Sequence, residues 1–238
     1  MTLEMNRKVK DLVRLALAAE RQRVPLKRED IAKKVLKDHS RAFRVIFEKT
    51  QVQLRRVFGM ELVELPTREK AQQIGVSAAR RAAVHREKTS TNTFVLRSIL
   101  PAELRHAELI DWGEDAALMG FSMVVLSLIY VNERTLSEER LHHYLRKLGV
   151  TERPHPQLKS LEVALMRMVK IGYLDRVTSS GDSGDVSAIE YRWGPRAKVE
   201  MDEREMADFV VKVFGDQAPA DLVQSIRRAS GVIDASTA

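Results

Sequence analysis

Basic side chains are the residues of this chain whose types and spacing are best suited to a binding chemistry. Five of them lie in a stretch of helical periodicity and on the two predicted strands that follow it: Lys159, Arg167, Lys170, Arg176 and Arg192. Ammonium and guanidinium groups bind phosphate oxygens, and such contacts position a protein on nucleic acid without reading its sequence. We predict that these five residues contact the phosphates of double-stranded DNA.

A second basic set lies in the first hundred residues. Five of its members fall in another helical stretch: Arg41, Arg44, Lys49, Arg55 and Arg56. Four more lie in a polar segment between two predicted strands and form an alternative DNA-binding set: Arg80, Arg81, Arg86 and Lys88. Asn and Gln, which read adenine in the major groove, are scarce in both helical stretches. We therefore expect backbone binding without sequence specificity.

Positive charge is concentrated in the first part of the chain. The 238 residues carry 40 Lys and Arg against 33 Asp and Glu, a net charge of +7. Residues 1–100 contain 23 basic and 11 acidic side chains, whereas residues 101–238 contain 17 and 22. This asymmetry favours a polyanionic partner, although helices also carry Lys and Arg simply for solubility.

Reactive side chains form no known catalytic pattern in the sequence. The chain has no cysteine, which excludes disulfide scaffolds, thiolate nucleophiles and cysteine zinc sites. Its six histidines show no His-Glu-x-x-His pattern, and the neighbours His142 and His143 diverge by about 100° on a helix, too far to clamp one metal ion. No phosphate-binding loop or Gly-x-Ser-x-Gly elbow is present. We expect a non-enzymatic protein without a cofactor or a metal.

No segment predicts export or membrane insertion. The N-terminal sequence MTLEMNRKVKDLV lacks a hydrophobic signal core. The most apolar run, residues 116–131, is shorter than the roughly 20 residues that span a bilayer, and it lies between charged segments. We expect a protein of the cytoplasm or nucleus with no membrane partner.

Hydrophobic periodicity predicts one helical domain with a β wing in residues 5–100. Its first helix is amphipathic around Leu12, and a short second helix follows the turn at Pro25. The third helix is expected to begin at Ser40 as its N-cap and to stop at Gly59. Two strands follow, residues 60–65 and 93–96, and the polar residues between them predict a long basic wing.

Residues 101–200 repeat this plan. Residues 116–131 predict a first helix, and Ser137, followed by two glutamates, opens a second. The third is expected over residues 158–171. Alternating aromatic residues end at the Gly-Pro break in WGPRA, residues 193–197, and predict the second of two wing strands.

The predicted fold is mainly α with small β wings. It comprises tandem winged-helix domains over residues 5–100 and 101–200, plus short C-terminal helices in residues 201–238 at 202–214 and 220–229. In such a domain the third helix can enter the major groove while the wing contacts a neighbouring phosphate. Both predicted DNA-binding sets lie on these elements, the third helices and the wings.

Three segments of the chain resemble the MAGE homology domain. They are FEKTQVQLRRVFGMELVEL at 47–65, MVVLSLIYVNERTLSEERLHHYLRKLGV at 123–150 and YRWGPRAKVE at 191–200. The segments occur in the expected order and at the expected intervals, and the resemblance covers roughly residues 8–200. Melanoma-associated antigens, necdin and a chromosomal branch belong to this family. The basic balance and the small extension beyond the domain resemble the chromosomal branch most.

The resemblance implies a protein that acts through partners. These would be a RING-type ubiquitin ligase subunit, a kleisin subunit and double-stranded DNA. The chain would then be a non-catalytic subunit of an SMC five/six-type complex on nuclear chromatin, supporting DNA repair and recombination. A MAGE-type ligase regulator without a DNA role is the alternative, and a sequence-specific transcription factor is a third. The resemblance favours the second domain as the DNA-binding one, whereas raw charge favours the first.

The family's first helix carries a leucine pair that contacts the RING partner. Ala16 and Leu17 occupy the matching place here. Because alanine offers less apolar area, by about 2 kcal/mol when buried, the contact is expected to depend on the neighbouring apolar residues. The predicted RING-binding set is Leu12, Val13, Leu15 and Leu17. Several of these must also serve the core of their own domain.

Overall fold

The chain divides into two compact units, Met1–Trp112 and Gly113–Ala238, referred to here as unit 1 and unit 2. The computed structural model describes residues 3–67, 90–105, 113–150, 156–179, 188–215 and 226. The described parts are mainly α-helical with one small antiparallel sheet in each unit. The predicted fold class is confirmed, while the domain limits at residues 100 and 200 stay a prediction.

Unit 1 contains three α-helices and three strands in its described residues. The helices are α1 (Leu3–Arg21), α2 (Arg28–Ile31) and α3 (Phe43–Gln53). The strands are β1 (Leu26–Lys27), β2 (Met60–Glu64) and β3 (Thr93–Ser98). Wider π-helical turns extend α2 over Ala32–Leu36 and α3 over Leu54–Phe58. Short 3₁₀ segments cover Lys37–Ala42 and Ala102–Leu104.

Unit 2 repeats this order and adds two helices. Its helices are α4 (Ala116–Val131), α5 (Glu138–Lys147), α6 (Leu161–Ile171), α7 (Ala197–Glu200) and α8 (Glu203–Phe214). Its strands are β4 (Thr135–Ser137), β5 (Leu174–Ser179) and β6 (Ala188–Trp193). A 3₁₀ turn, Gly113–Asp115, precedes α4. The last predicted helix, residues 220–229, lies outside the described residues except at position 226.

Both sheets place their last strand in the centre. The strand order is β1-β3-β2 in unit 1 and β4-β6-β5 in unit 2, and every pairing is antiparallel. Helix, strand, helix, helix, strand, strand with this sheet order is the winged-helix arrangement. The short strands β1 and β4 were not predicted. Each contributes one buried leucine immediately before a helix, Leu26 in PLKRED and Leu136 in TLSEER, and is too short for a strand period to show.

Each unit has its own apolar core. In unit 1 the helices supply Leu12, Ile31, Ile46 and Leu54, all completely buried, and the sheet adds Phe94. In unit 2 the most apolar helix, α4, lies against α5, α6 and the sheet and buries Val125, Leu126 and Ile129 completely. The run that was too short for a membrane span is therefore a core helix.

The cap predicted at Ser137 in unit 2 is present, whereas the cap predicted at Ser40 in unit 1 is not. The Ser137 hydroxyl accepts the Arg140 backbone N–H at 3.4 Å and caps α5, as predicted. The Ser40 cap is wrong, because α3 begins after Ala42 and has no side-chain cap. The third helix of unit 2 begins three residues later than predicted, where the Ser160 hydroxyl accepts the Val163 N–H at 3.3 Å.

The WGPRA segment stabilises unit 2 through close backbone contact. Gly172 ends α6 with a φ of +91°. A side chain at Gly194 would drive its Cβ into the Gly172 carbonyl group, so only glycine fits. The Trp193 indole N–H donates to the Leu126 carbonyl at 2.9 Å and ties β6 to α4.

Arg196 of the same segment is completely buried. Its Nε donates to the Glu200 carboxylate at 2.6 Å, and the Tyr173 hydroxyl donates to the other oxygen of that carboxylate at 2.5 Å. Burying a charge is costly unless it is paired and hydrogen-bonded, and Glu200 supplies a charged acceptor for the Nε of Arg196. The basic residue of the motif is therefore structural and is not a DNA contact.

Candidate nucleic-acid interface

The outward face of α6 presents two basic and two apolar side chains, and the acidic Glu162 is exposed in its first turn. Arg167 and Lys170 are exposed, and so are Val163 and Met166 at 47% and 55% of their full areas. Arg167 donates to the Asp115 carboxylate at 2.5 Å, whereas Lys170 has no carboxylate partner among the described residues. Phosphate would therefore have to compete with Asp115 at Arg167 but not at Lys170.

Lys159 lies outside the helix on which it was predicted. It precedes the cap of α6, has a φ of +63° and is exposed. Its ammonium makes no ion pair within the described residues. This residue remains a candidate phosphate contact next to the N-terminus of α6, where the helix dipole also favours an anion.

Arg176 and Arg192 lie on opposite faces of the unit 2 sheet. Arg176 pairs with Tyr191, on the face that is buried against the helices, and Arg192 pairs with Asp175 on the other face. Each has an acidic neighbour. The Arg176 guanidinium lies 3.9 Å from Glu138, and that of Arg192 lies 3.1 Å from Glu190. The two arginines cannot bind one phosphate group together.

Glu138 at the start of α5 also accepts the Tyr191 hydroxyl at 3.0 Å. Burial and the adjacent carboxylate raise the pKa of Tyr191 to about 12. Tyr191 is therefore a neutral hydrogen-bond donor at physiological pH, and Glu138 is shared between it and Arg176. This cluster joins α5 to the sheet from the side of the helices.

The outward face of α5 carries basic side chains that the sequence reasoning missed. Arg140, His143, Arg146 and Lys147 are exposed, while Leu141 and Leu145 point into the core. We call these four residues the α5 basic face. The alternation of buried leucines and basic residues in LHHYLRK was the available signal. The predicted sites were confined to third helices and wings and so did not include this second helix.

The basic residues predicted on the third helix of unit 1 are divided between paired and unpaired, and Arg41 lies before α3 in the 3₁₀ segment Lys37–Ala42. Arg44 donates to Glu48 at 3.0 Å and Arg55 donates to Glu61 at 2.9 Å. Lys49 is half-buried and is not free. The remaining two residues, Arg41 and Arg56, are exposed and have no ion-pair partner in the described part of the chain.

Carboxylates organise the two strands on either side of the predicted basic wing. Glu61 accepts hydrogen bonds from Arg97 and Arg55, and these hold its pKa below the ordinary value despite partial burial. Glu64 accepts the Ser90 hydroxyl at 2.5 Å and the Asn92 backbone N–H at 2.7 Å, which lowers its pKa in the same way. The alternative DNA-binding residues of the wing lie outside the described residues: Arg80, Arg81, Arg86 and Lys88.

The predicted RING-binding stripe of α1 is divided between core and surface. Leu12 is completely buried, so its place in a docking surface is wrong for the folded unit. Ala16 is also buried, at 2% exposure. Val13, Leu15 and Leu17 are half-buried against the core and retain accessible area. Contact of these three with a partner stays a prediction.

Two further properties bear on function. Among the described residues, no three His, Asp or Glu side chains are grouped as a metal site would require. The helices in those same ranges include none with the length and apolar content needed to cross a membrane.

The described residues form two winged-helix units in tandem, and each third helix has exposed basic and apolar side chains. Residues 12–204 match the family model described as the MAGE homology domain, and the chain belongs to that family. The resemblance seen in the sequence is confirmed.

Curated relatives and one solved structure extend the comparison. The chain is 29% identical over 214 residues to non-structural maintenance of chromosome element 3 of Schizosaccharomyces pombe, covering 87% of this chain and 64% of that protein. It is 28% identical over 225 residues to the Homo sapiens homologue of element 3, covering 92% and 64%. The chain thus spans less than two thirds of these relatives.

A chain in a structure titled "Nse1-Nse3-Nse4 complex" superposes with a TM-score of 0.75. The match covers 96% of this chain and 99% of that one at 24% identity, which shows a shared fold.

Proposed function

We propose that this protein is a non-catalytic, DNA- and protein-binding subunit of an SMC five/six-type chromosome-maintenance complex. The observation that carries the proposal is the match to two proteins named as element 3, which extends over most of the chain and through both winged-helix units. Such a subunit would act on nuclear chromatin and support DNA repair and recombination.

DNA binding is supported by cations that lack a carboxylate partner in the described residues. On the third-helix side of unit 2 these are Lys159 and Lys170, with Arg167 available if DNA displaces Asp115. Exposed ion pairs are weak, about 0–1 kcal/mol, so phosphate can compete for that arginine. Apart from Glu162 in the first turn, the exposed side chains of α6 are basic or apolar and none bears an amide, which suits contact with the sugar-phosphate backbone.

Protein binding is supported by apolar area that the units leave accessible. Val13, Leu15 and Leu17 of α1 are the proposed contact with a RING-type ubiquitin ligase subunit. Exposed Val163 and Met166 on α6 are the proposed contact with a kleisin subunit.

A salt titration of DNA binding tests the proposal. Purified protein would be titrated into a labelled random-sequence duplex at several salt concentrations, with fluorescence anisotropy as the readout. If about five phosphates are neutralised, the logarithm of affinity should fall with the logarithm of salt concentration at a slope of about −4 to −5. Duplexes of different sequence should bind equally.

The other outcomes identify the alternatives. Absence of binding at low salt, together with co-purification of a RING partner, would support a ligase regulator without a DNA role. One strongly preferred duplex would support a sequence-specific transcription factor. A slope near zero would contradict backbone binding.

A further inference from the structure

We infer that the α5 basic face is a second phosphate-binding surface for double-stranded DNA. This inference rests on the DNA binding proposed above and adds a surface on the second helix of unit 2 to the third helix and wing. Its residues are Arg140, His143, Arg146 and Lys147.

Packing against the core fixes the orientation of α5. Leu141 and Leu145 are completely buried and fix one side of α5 in the core of unit 2. The Ser137 cap fixes the N-terminal end. The basic side chains on the opposite side therefore point to solvent as a consequence of packing.

Three cations of the α5 basic face have no carboxylate partner within the described residues. Arg140 donates to the Asn132 side-chain oxygen at 2.7 Å and to the Tyr144 hydroxyl at 3.1 Å. Both acceptors are neutral, so they orient the guanidinium without cancelling its charge. Arg146 and Lys147 have no carboxylate partner within the described residues. By contrast, Arg167, Arg176 and Arg192 all have acidic neighbours.

The shape of the α5 basic face and the spacing of its side chains suit a row of phosphates. Side chains of α5 line a shallow cleft of about 760 Å³, in which Glu139 is the acidic member. Arg140 and Lys147 are seven residues apart, an axial separation of about 10 Å at 1.5 Å per residue. Phosphates of one strand advance about 3.4 Å each along the duplex axis, so the face matches a run of about three.

The test compares two double variants with the same change in net charge. Arg146→Gln with Lys147→Gln removes two cations of the face, and glutamine avoids placing a carboxylate at the C-terminal end of the helix. Arg204→Gln with Lys212→Gln removes two exposed cations of α8 and is the control. Affinity for a random-sequence 30-base-pair duplex would be measured by anisotropy across a salt series. Circular dichroism would confirm that both variants unfold at the wild-type temperature.

We expect the α5 variant to bind on the order of tenfold more weakly near 0.1 M salt, with its salt slope reduced by about 0.9 for each phosphate that is no longer neutralised. The control should bind as the wild type does. Equally weakened binding in both variants would show a bulk charge effect and overturn the inference. Wild-type affinity in the α5 variant would also overturn it while leaving the proposed function intact. Failure of the wild-type protein to bind the duplex would remove both.

Should the double variant fail to fold, Arg140→Gln alone decides the question. That residue is exposed at the first turns of the helix and its removal leaves Leu141 and Leu145 in place. A reduction in salt slope supports the inference, and an unchanged slope contradicts it.

Discussion

Unit 1 and unit 2 share the order of their elements but hold the third helix against the sheet by different means. In unit 1 the Gln51 side chain donates to the Leu62 carbonyl at 2.7 Å and accepts the Leu62 N–H at 2.8 Å, pairing with the edge strand β2. The third helix of unit 2, LEVALMRMVKI, contains no amide side chain. There the close approach of Gly194 to Gly172 and the buried Arg196 take the corresponding role.

The two units differ equally in how their charges are engaged. Formal charge makes unit 1 the basic half, yet Arg55 and Arg97 are both paired with Glu61. Unit 2 has more acidic residues, yet Arg146 and Lys147 make no ion pair within the described residues. A count of Lys and Arg therefore does not locate a phosphate-binding surface. The relevant quantity is the cationic charge left without an acidic neighbour, and only the fold reveals it.

The largest expected effect comes from disrupting the close backbone contact between Gly172 at the end of α6 and Gly194 after β6. Gly194→Ala places a methyl group against the Gly172 carbonyl, a backbone group that cannot move aside cheaply. We expect a loss of about 3 kcal/mol or more in the free energy of unfolding. Chemical denaturation monitored by tryptophan fluorescence would measure it, since Trp193 is adjacent.

Gly120→Ala is the matched control. That glycine lies in α4 with nothing near the position of an added Cβ. A helical Gly→Ala change in open space should stabilise unit 2 by about 0.5–1 kcal/mol. Equal destabilisation by both changes would show that the close glycine contact is not what holds the segment.

The second prediction asks which unit contributes more to DNA binding. Lys159→Glu with Lys170→Glu reverses two cations of unit 2, and Arg41→Glu with Arg56→Glu reverses two of unit 1. Both variants reverse two positive charges, so the change in net charge is matched. None of the four residues has an ion-pair partner in the described ranges, so neither variant breaks an ion pair. We expect the unit 2 variant to lose on the order of a hundredfold in affinity at 0.1 M salt and the unit 1 variant about tenfold or less. Anisotropy titration would rank them, and the reverse order would make overall charge the better guide.

Long periodic elements were predictable and short or tertiary features were not. α4 has the predicted bounds because an apolar run marks its ends, and α8 begins one residue after the predicted start because Asp202 is its cap. β1 and β4 carry one buried residue each, too little for a period to show. The third helix of unit 1 was predicted as one element, but its last turn is π-helical, and no local signal separates the two.

Site residues were predicted by position on an element, which fixes their neighbourhood but not their partners. Arg167 was placed correctly on α6, yet its neighbour Asp115 is 52 residues away along the chain. Lys159 was placed on the helix because the helix was expected to begin at residue 158, three residues before its observed start. Leu12 has the spacing of a docking stripe, and the same spacing serves the core. Periodicity finds the face of a helix but does not tell whether another part of the same chain covers it.

The smallest expected effect concerns the carboxylate that holds the unit 1 arginines. Glu61→Gln removes the negative charge that pairs with Arg97 and Arg55. The pKa of Glu61 is lowered, chiefly by the hydrogen bond from Arg97, so the folded state binds its proton less readily than the unfolded state. Its stabilisation is therefore present above the ordinary carboxyl pKa of 4.5 and is lost as pH falls through the lowered folded value.

At pH 7 we expect the Glu61→Gln variant to be about 1 kcal/mol less stable than wild type, a figure typical of a well-placed ion pair with partial exposure. The difference should shrink as the pH drops below 4.5, because the protonated carboxyl and the amide are both neutral. Urea unfolding at pH 7 and at pH 3 would measure both values. Glu48→Gln, at the exposed Arg44 pair, is the control and should change stability at pH 7 by less than Glu61→Gln does. A Glu61→Gln difference that stays constant between pH 7 and pH 3 would show that the side chain stabilises unit 1 by shape and hydrogen bonding, with its charge playing no part.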